Sequence, residues 1–215
     1  MAASLTSTDL TLDNTSGASI PGTPSAGQTV LYPKADKLLY YKDDAGVERL
    51  VNVTAAVTPI NLGTAVATTS GTSIDFTGIP AGVKRITLGV AGLSTNGGAE
   101  LLIQIGSSAG VKTSGYLGFA TYTGSATAGL NMGAGFTVRS DDAGEVQHGI
   151  INLTAIDTAA GNWAMSAILG RSNESYMAIS GGAASLSAML TSVRLTTTNG
   201  TDAFDAGLAS ISWEF

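Results

Sequence analysis

Few side chains in this 215-residue chain could do chemistry, and they are scattered. Its one histidine, His148, stands in EVQHGII. An imidazole could act there as a general base or a metal ligand, but no Gly-x-Ser-x-Gly elbow supplies a nucleophile for it. The simpler expectation is a strand-edge histidine making an ordinary hydrogen bond. The acids that could pair are Asp43, Asp44, Asp75, Asp141, Asp142, Glu145, Asp157 and Glu174. Two carboxylates held about 5 to 9 Å apart would cleave a glycosidic bond.

Two of these acidic clusters, however, repeat one string: Lys42-Asp43-Asp44-Ala45-Gly46 and Ser140-Asp141-Asp142-Ala143-Gly144. An Asp carboxylate accepts main-chain N–H groups just downstream, and a following Gly takes the positive φ that closes a turn. Turns are therefore expected at both places. They are preferred to a calcium loop at Asp141, Asp142 and Glu145, which has hard oxygen ligands but no complete loop pattern, and to a hydrolase pair. The absence of cysteine removes disulfides and thiolate metal sites. The expectation is no catalytic residue, no cofactor and no metal: a protein that is not an enzyme.

Aromatic rings offer a second kind of surface chemistry. Tyr116, Phe119, Tyr122, Trp163 and Tyr176 lie among serines, threonines and glycines. Rings in such settings can stack on sugars, although Tyr and Trp at strand positions commonly pack in a core or at its rim. Tyr116, Tyr122 and Tyr176 are the candidate glycan contacts.

Composition narrows the partners. Charged residues make up 12% of the chain, against about 25% in an average soluble protein. The surface must be largely neutral, which suits subunits packed against one another. The net charge of −6, with no basic run longer than Lys84-Arg85, argues against nucleic acid. No stretch approaches the roughly 18 apolar residues of a membrane span, so no membrane insertion is expected. The opening MAASLTSTDLTLDNTSG lacks the charged and apolar regions of a secretory signal, which predicts a protein made and assembled in a cytoplasm.

The elements that would carry these residues are strands. Residues 1–28 are small and polar, and DNTSGASIPGTPSAGQ prevents a regular helix, so an extended N-terminal arm is expected. Its apolar residues Leu5, Leu10, Leu12 and Ile20 are the candidate docking anchors. Residues 29–60 contain TVLYPKA, KLLYYKD and VERLVNV, a small β-meander that would lean on the main body or another subunit. Residues 61–215 alternate between apolar runs and glycine-bearing turns about every 10 residues.

Strands are expected near 62–69, 72–77, 83–91, 99–106, 112–122, 135–139, 146–156, 162–170, 174–180, 186–197 and 208–215. The last is the cleanest, with Ala209, Ile211, Trp213 and Phe215 alternating with Ser210, Ser212 and Glu214. In GGAASLSAMLTSVRL, Met189, Thr191, Val193 and Leu195 fall on one face at period two, so strand is preferred to helix. Eleven strands without a long helix predict an all-β, jelly-roll-like β-sandwich with successive strands on alternate sheets, preceded by the arm and the meander.

The segment SGTSIDFTGIPAGVKRITLGVAGLSTNGGAELLIQIGSSAGVKTSGYLG resembles a β-domain of tailed-bacteriophage tail-fibre and related virion structural proteins. The closing TTTNGTDAFDAGLASISWEF is similar to the end of that domain, and AGQTVLYPKADKLLYYKDDAGVERLV to a meander that precedes it. Together they cover most of residues 27–215. The resemblance implies a virion structural protein, self-associating as a homotrimer. It would dock on capsid, collar or tail through its N-terminal region and project a β-sandwich that contacts host surface glycan. The chain carries no long repetitive shaft, so the alternative is a head or collar decoration protein that recognises no host.

Overall fold

The computed structural model describes residues 21–34, 36, 38–51, 60–123 and 129–215. They fall into two compact units divided between Val57 and Thr58. The anchors Leu5, Leu10, Leu12 and Ile20 lie outside the described residues. Among the described residues there is no helix.

The first unit is an antiparallel meander of β1 (Val30–Pro33), β2 (Leu39–Lys42) and β3 (Glu48–Leu50). Asp36 shapes the first corner by accepting the Leu38 N–H and the Tyr40 hydroxyl. Asp43 shapes the second, its Oδ1 accepting the N–H groups of Ala45 and Val47 while Gly46 sits at φ 80°. Lys34 bridges the sheet, pairing with Glu48 and lying 4.2 Å from the Tyr40 ring centroid.

The second unit begins with β4 (Asn61–Leu62), β5 (Val66–Ala67), β6 (Ser73–Thr77), β7 (Arg85–Thr95), β8 (Leu101–Ser107) and β9 (Gly110–Val111). It continues through β10 (Leu117–Thr123), β11 (Leu130–Asn131), β12 (Phe136–Val138) and β13 (Gln147–Asp157). It ends with β14 (Asn162–Arg171), β15 (Met177–Ser185), β16 (Ser192–Thr197) and β17 (Phe204–Glu214). The larger sheet has the order β11-β10-β15-β14-β13-β7-β17-β4, with β5 also on β17; the smaller is β12-β8-β16-β6, with β9 on β8. Every pairing is antiparallel. The protein is thus an all-β sandwich. The chain alternates between sheets from β6 to β8 and again at β12, β16 and β17, but β13, β14 and β15 form a meander within the larger sheet.

Period-two alternation decides what each sheet buries. On β7, Ile86, Leu88 and Val90 point inward; on β13, Ile151 and Leu153; on β14, Trp163, Met165, Ala167 and Leu169. They meet Ile74, Phe76, Ile103, Ile105, Val193 and Leu195 of the smaller sheet in one continuous core. At about 1.5–3 kcal/mol for each fully buried large apolar side chain, this core is the main source of stability. β7 and β17 bulge together at Gly92 and Gly207, both at positive φ. A Cβ on Gly207 would stand 2.4 Å from the Gly92 carbonyl, so only glycine fits.

Three local expectations need correction. Residues 112–116 are not strand: the chain crosses there from one sheet to the other, and Gly115 at φ 75° turns Tyr116 into the core. Residues 186–191 form a turn, with Ser187 at φ 53°. Leu186 and Leu190 pack on the core from it, which leaves Met189 exposed. At the C-terminal strand, Ala209 and Ile211 are buried, but Trp213 is only partly buried against the core edge and Phe215 is exposed.

Candidate functional site

The core of the sandwich ends in a polar layer. On the inner face of the larger sheet, Gln147, Arg171, Ser180 and Tyr122 continue the parity of the apolar residues before them. Arg139 follows β12, and Glu100 precedes β8. Arg171 is the hub, with a side chain only 1% exposed. Its Nη1 lies 2.5 Å from Glu145 Oε1, 2.9 Å from Glu174 Oε2 and 3.4 Å from Asp141 Oδ1, and its Nη2 donates to the Arg139 carbonyl at 3.3 Å. Arg139 pairs with Glu100, whose second oxygen accepts the Ser140 N–H at 2.6 Å. The two guanidinium carbons lie 4.3 and 4.7 Å from the Tyr122 ring centroid. Desolvated cation–π contacts of this kind are worth about 2 kcal/mol each.

The turn at Asp141–Gly144 forms as its residue types require: Gly144 sits at φ 78°, and Glu145 Oε1 accepts the N–H groups of Asp141 and Asp142. Burial pushes the Glu145 carboxyl up to about 7, helped by a hydrogen bond to Asp141, even though Arg171 works to lower it. Its Oε2 has no donor facing it, so a proton there displaces no hydrogen bond. Burial raises Asp141 too, but Tyr122, Glu145 and the two arginines outweigh it and hold Asp141 below its ordinary value. The two carboxylates titrate as an interacting pair, with Glu145 raised and Asp141 lowered. Among the described residues, Asp141, Asp142 and Glu145 are the one acidic group whose oxygens come close enough together, within 4.8 Å, to face a common cation. Arg171 and two main-chain N–H groups already engage Glu145 Oε1. The chemistry of this donor set is that of an ion-pair network rather than a calcium loop.

The other acids named from the sequence do not converge. Asp75 forms a two-point pair with Arg194 across the smaller sheet, Asp157 caps its own turn, and Asp44 accepts the Gly27 N–H. His148 is exposed. Its Nδ1 accepts the Gly92 N–H at 3.1 Å, which leaves the proton on Nε2 beside the Ser172 hydroxyl at 3.1 Å. Tyr116 is removed from the candidate glycan contacts. It is buried edge-on against Phe136, its hydroxyl accepting the Ile105 N–H and donating to the Lys112 carbonyl, and burial raises its pKa to about 12. Tyr122 faces inward with a buried hydroxyl, whereas Tyr176, 38% exposed, stands 6.0 Å from it. Tyr176 is thus the only one of the three rings open to a surface ligand.

A second feature lies on the opposite, outer face of the larger sheet. Cross-strand register places Thr121, Ile179, Ile168, Ile150, Gly89 and Ser210 in one row. The neighbouring rows read Phe119, Gly181, Ser166, Asn152, Thr87, Ser212 and Thr123, Met177, Gly170, His148, Ala91, Leu208. A fourth row, Leu117, Ala183, Ala164, Thr154, Arg85, Glu214, ends in the one ion pair on this face among the described residues, with its Nη2–Oε2 contact at 2.7 Å. Ile150 and Ile168 are 51% and 56% exposed, beside an open depression of about 430 Å³ floored by Gly149, Asn152, Ser166 and Ala167. No parity or composition signal distinguishes this face from an ordinary solvated one except its lack of charge. No protein-family model, curated protein or solved structure matches the chain.

Proposed function

We propose that the chain is a structural protein of a tailed-bacteriophage particle. It is a short tail-fibre-like appendage that works as a homotrimer, docks on capsid, collar or tail protein through its N-terminal region, and projects the β-sandwich. The observation that carries this reading is the outer face of the larger sheet: poor in charge and apolar at its centre, where Ile150, Ile168 and Ile179 stand side by side and exposed. The likeness of residues 70–118 and 196–215 to tail-fibre β-domains supports the same assignment. Most ionisable groups of the sandwich are engaged in turns and ion pairs, which fits a part that bears load. Tyr176 is the ring through which the projecting domain would meet a host glycan.

Immunogold labelling tests the assignment, with antibody raised against the purified chain and particles released from the host that carries the gene. Gold on the tail or its appendages is the expected result, and gold confined to the head would move the protein to a decoration role. If intact particles form while all of the chain stays in the soluble lysate, the assignment is wrong.

A further inference from the structure

Three glycines within strands have no reason within this chain to be glycine. Gly89, Gly170 and Gly181 do not have positive φ. A Cβ would meet nothing within 4 Å at Gly170, only the Ser210 hydroxyl at 3.5 Å at Gly89, and only the Met165 carbonyl at 3.9 Å at Gly181. The inward-facing Gly182 is different, since a Cβ there would stand 2.6 Å from both the Leu117 carbonyl and Met132 Sδ. Glycine inside a strand forgoes packing and marks a place where another backbone approaches. All three unexplained glycines project from the outer face of the larger sheet, around the row of exposed isoleucines.

The dimensions of that face suit a protein partner. Four rows over six strands cover roughly 750 Å², taking about 4.8 Å between strands and about 3.3 Å per residue. The whole face is thus of the size, ~800 Å², that each partner contributes to a stable protein–protein interface, and the three strands β13, β14 and β15 make up about half of it. The apolar centre is narrower. Ile179, Ile168 and Ile150 span β15, β14 and β13, three adjacent strands whose outer rows carry no Lys, Arg, Asp or Glu until Asp157, beyond the bulge at the end of β13. Three sheets closing around a threefold axis, each about 5 Å from it, or half the usual spacing of packed sheets, form a triangle of side about 17 Å. Three to four strands fill that width.

We propose that the outer faces of β13, β14 and β15 from three copies of this chain close around a threefold axis, with Ile150, Ile168 and Ile179 of each copy forming one buried layer. The proposal rests on the reading above of a self-associating particle protein and adds which surface associates. Met177, Gly170 and His148 form the layer on one side of the isoleucines; Gly181, Ser166 and Asn152 form the layer on the other. The glycines in those layers let neighbouring backbones come close, and the depression beside Ile150 and Ile168 receives side chains from the next copy.

Light scattering of the purified full-length chain tests this, using the parent, Ile168→Lys, Gly181→Val and, as a control away from the face, Met189→Lys. The parent and the control should have the mass of three chains. Ile168→Lys and Gly181→Val should fall to one chain at the same concentration with an unchanged β-type circular dichroism spectrum. Gly181→Val serves as the second variant because valine suits a strand and its Cβ meets nothing closer than the Met165 carbonyl at 3.9 Å in the isolated chain. A parent mass of one or two chains, or a trimer that persists in both folded variants, overturns the proposal. Particles that carry the antibody label while the purified chain is monomeric would overturn this interface alone, and a trimer whose antibody labels no particle would overturn the particle assignment alone.

Discussion

Replacing Arg171 by methionine removes the hub of the polar layer while keeping its aliphatic bulk. The guanidinium is almost fully buried and answers Glu145, Glu174 and Asp141 at 2.5, 2.9 and 3.4 Å. Breaking one partner out of a buried ion pair costs about 3–5 kcal/mol, because the remaining charge is left in a poorly solvating site. Glu145 can escape part of that cost by taking up a proton, since burial already raises it to about 7. The loss should therefore depend on pH. At pH 8, where the parent holds Glu145 ionised beside Arg171, the variant should lose about 3–5 kcal/mol. At pH 5 Glu145 is neutral in both proteins, and the loss should be smaller, because only the pairing of Arg171 with Asp141 and Glu174 is then broken. Urea unfolding followed by tryptophan fluorescence reads this cleanly, because Trp163 and Trp213 both belong to the sandwich. A loss below ~1 kcal/mol at pH 8, or an equal loss at both pH values, would refute the role given to Arg171.

The parent should itself lose stability as pH rises from about 5 to 8. Glu145 is raised in the fold, so the folded state binds the extra proton, and the favourable contribution disappears as pH climbs through the folded value. Melting temperature at constant ionic strength should fall across that window, at up to ~1.4 kcal/mol per pH unit, and Glu145→Gln should flatten the slope; a flat parent profile would refute the assignment. Tyr116→Phe should cost about 1–3 kcal/mol in urea unfolding, because the buried Ile105 N–H loses its acceptor. Gly182→Ala should cost about 1–3 kcal/mol by the same assay through collision with the Leu117 carbonyl and Met132, and an unchanged midpoint would mean that β10 and β15 are less closely packed than described.

Where the pleat is regular, the sequence is a direct guide. Ile86, Leu88 and Val90, or Ala209 and Ile211, alternate with small polar residues, and their strands follow. The guide fails where the chain changes sheets. Residues 112–116 and 186–191 keep a strand-like alternation, but Gly115 and Ser187 take left-handed conformations, and the apolar side chains drop into the core from turns. The polar layer was harder to see because Glu100, Arg139, Glu145 and Arg171 come from separate segments and share no local pattern. One signal was available: Arg171 has the parity of Trp163, Met165, Ala167 and Leu169, and Gln147 that of Ile151 and Leu153. A charged or amide side chain on the buried parity of a strand requires buried partners. Tyr116 misled for the opposite reason, because its small hydroxylic neighbours suggest a surface ring whereas only the backbone at Gly115 determines where it points.

The scarcity of charge acquires a spatial meaning in the fold. In the sandwich the ionic groups concentrate in the polar layer, in the Arg85–Glu214 pair near the far end of the larger sheet, and in the Arg194–Asp75 pair across the smaller one. Among the described residues, the outer rows of β13, β14 and β15 around the isoleucines receive none, the nearest acid being Asp157 beyond the bulge at the end of β13. A sheet face left to solvent has no physical reason to exclude lysine and glutamate, which keep exposed sheets soluble, nor to place glycine where a side chain would fit. A face buried on assembly has both reasons, since an unpaired charge would be costly to desolvate and a side chain would hold the partner away. The same argument accounts for the inner end of the sheet, where charges are buried but always in opposed groups. One sheet thus carries two solutions to burial: paired charge where the chain closes on itself, and no charge where, on the proposed interface, it meets its copies.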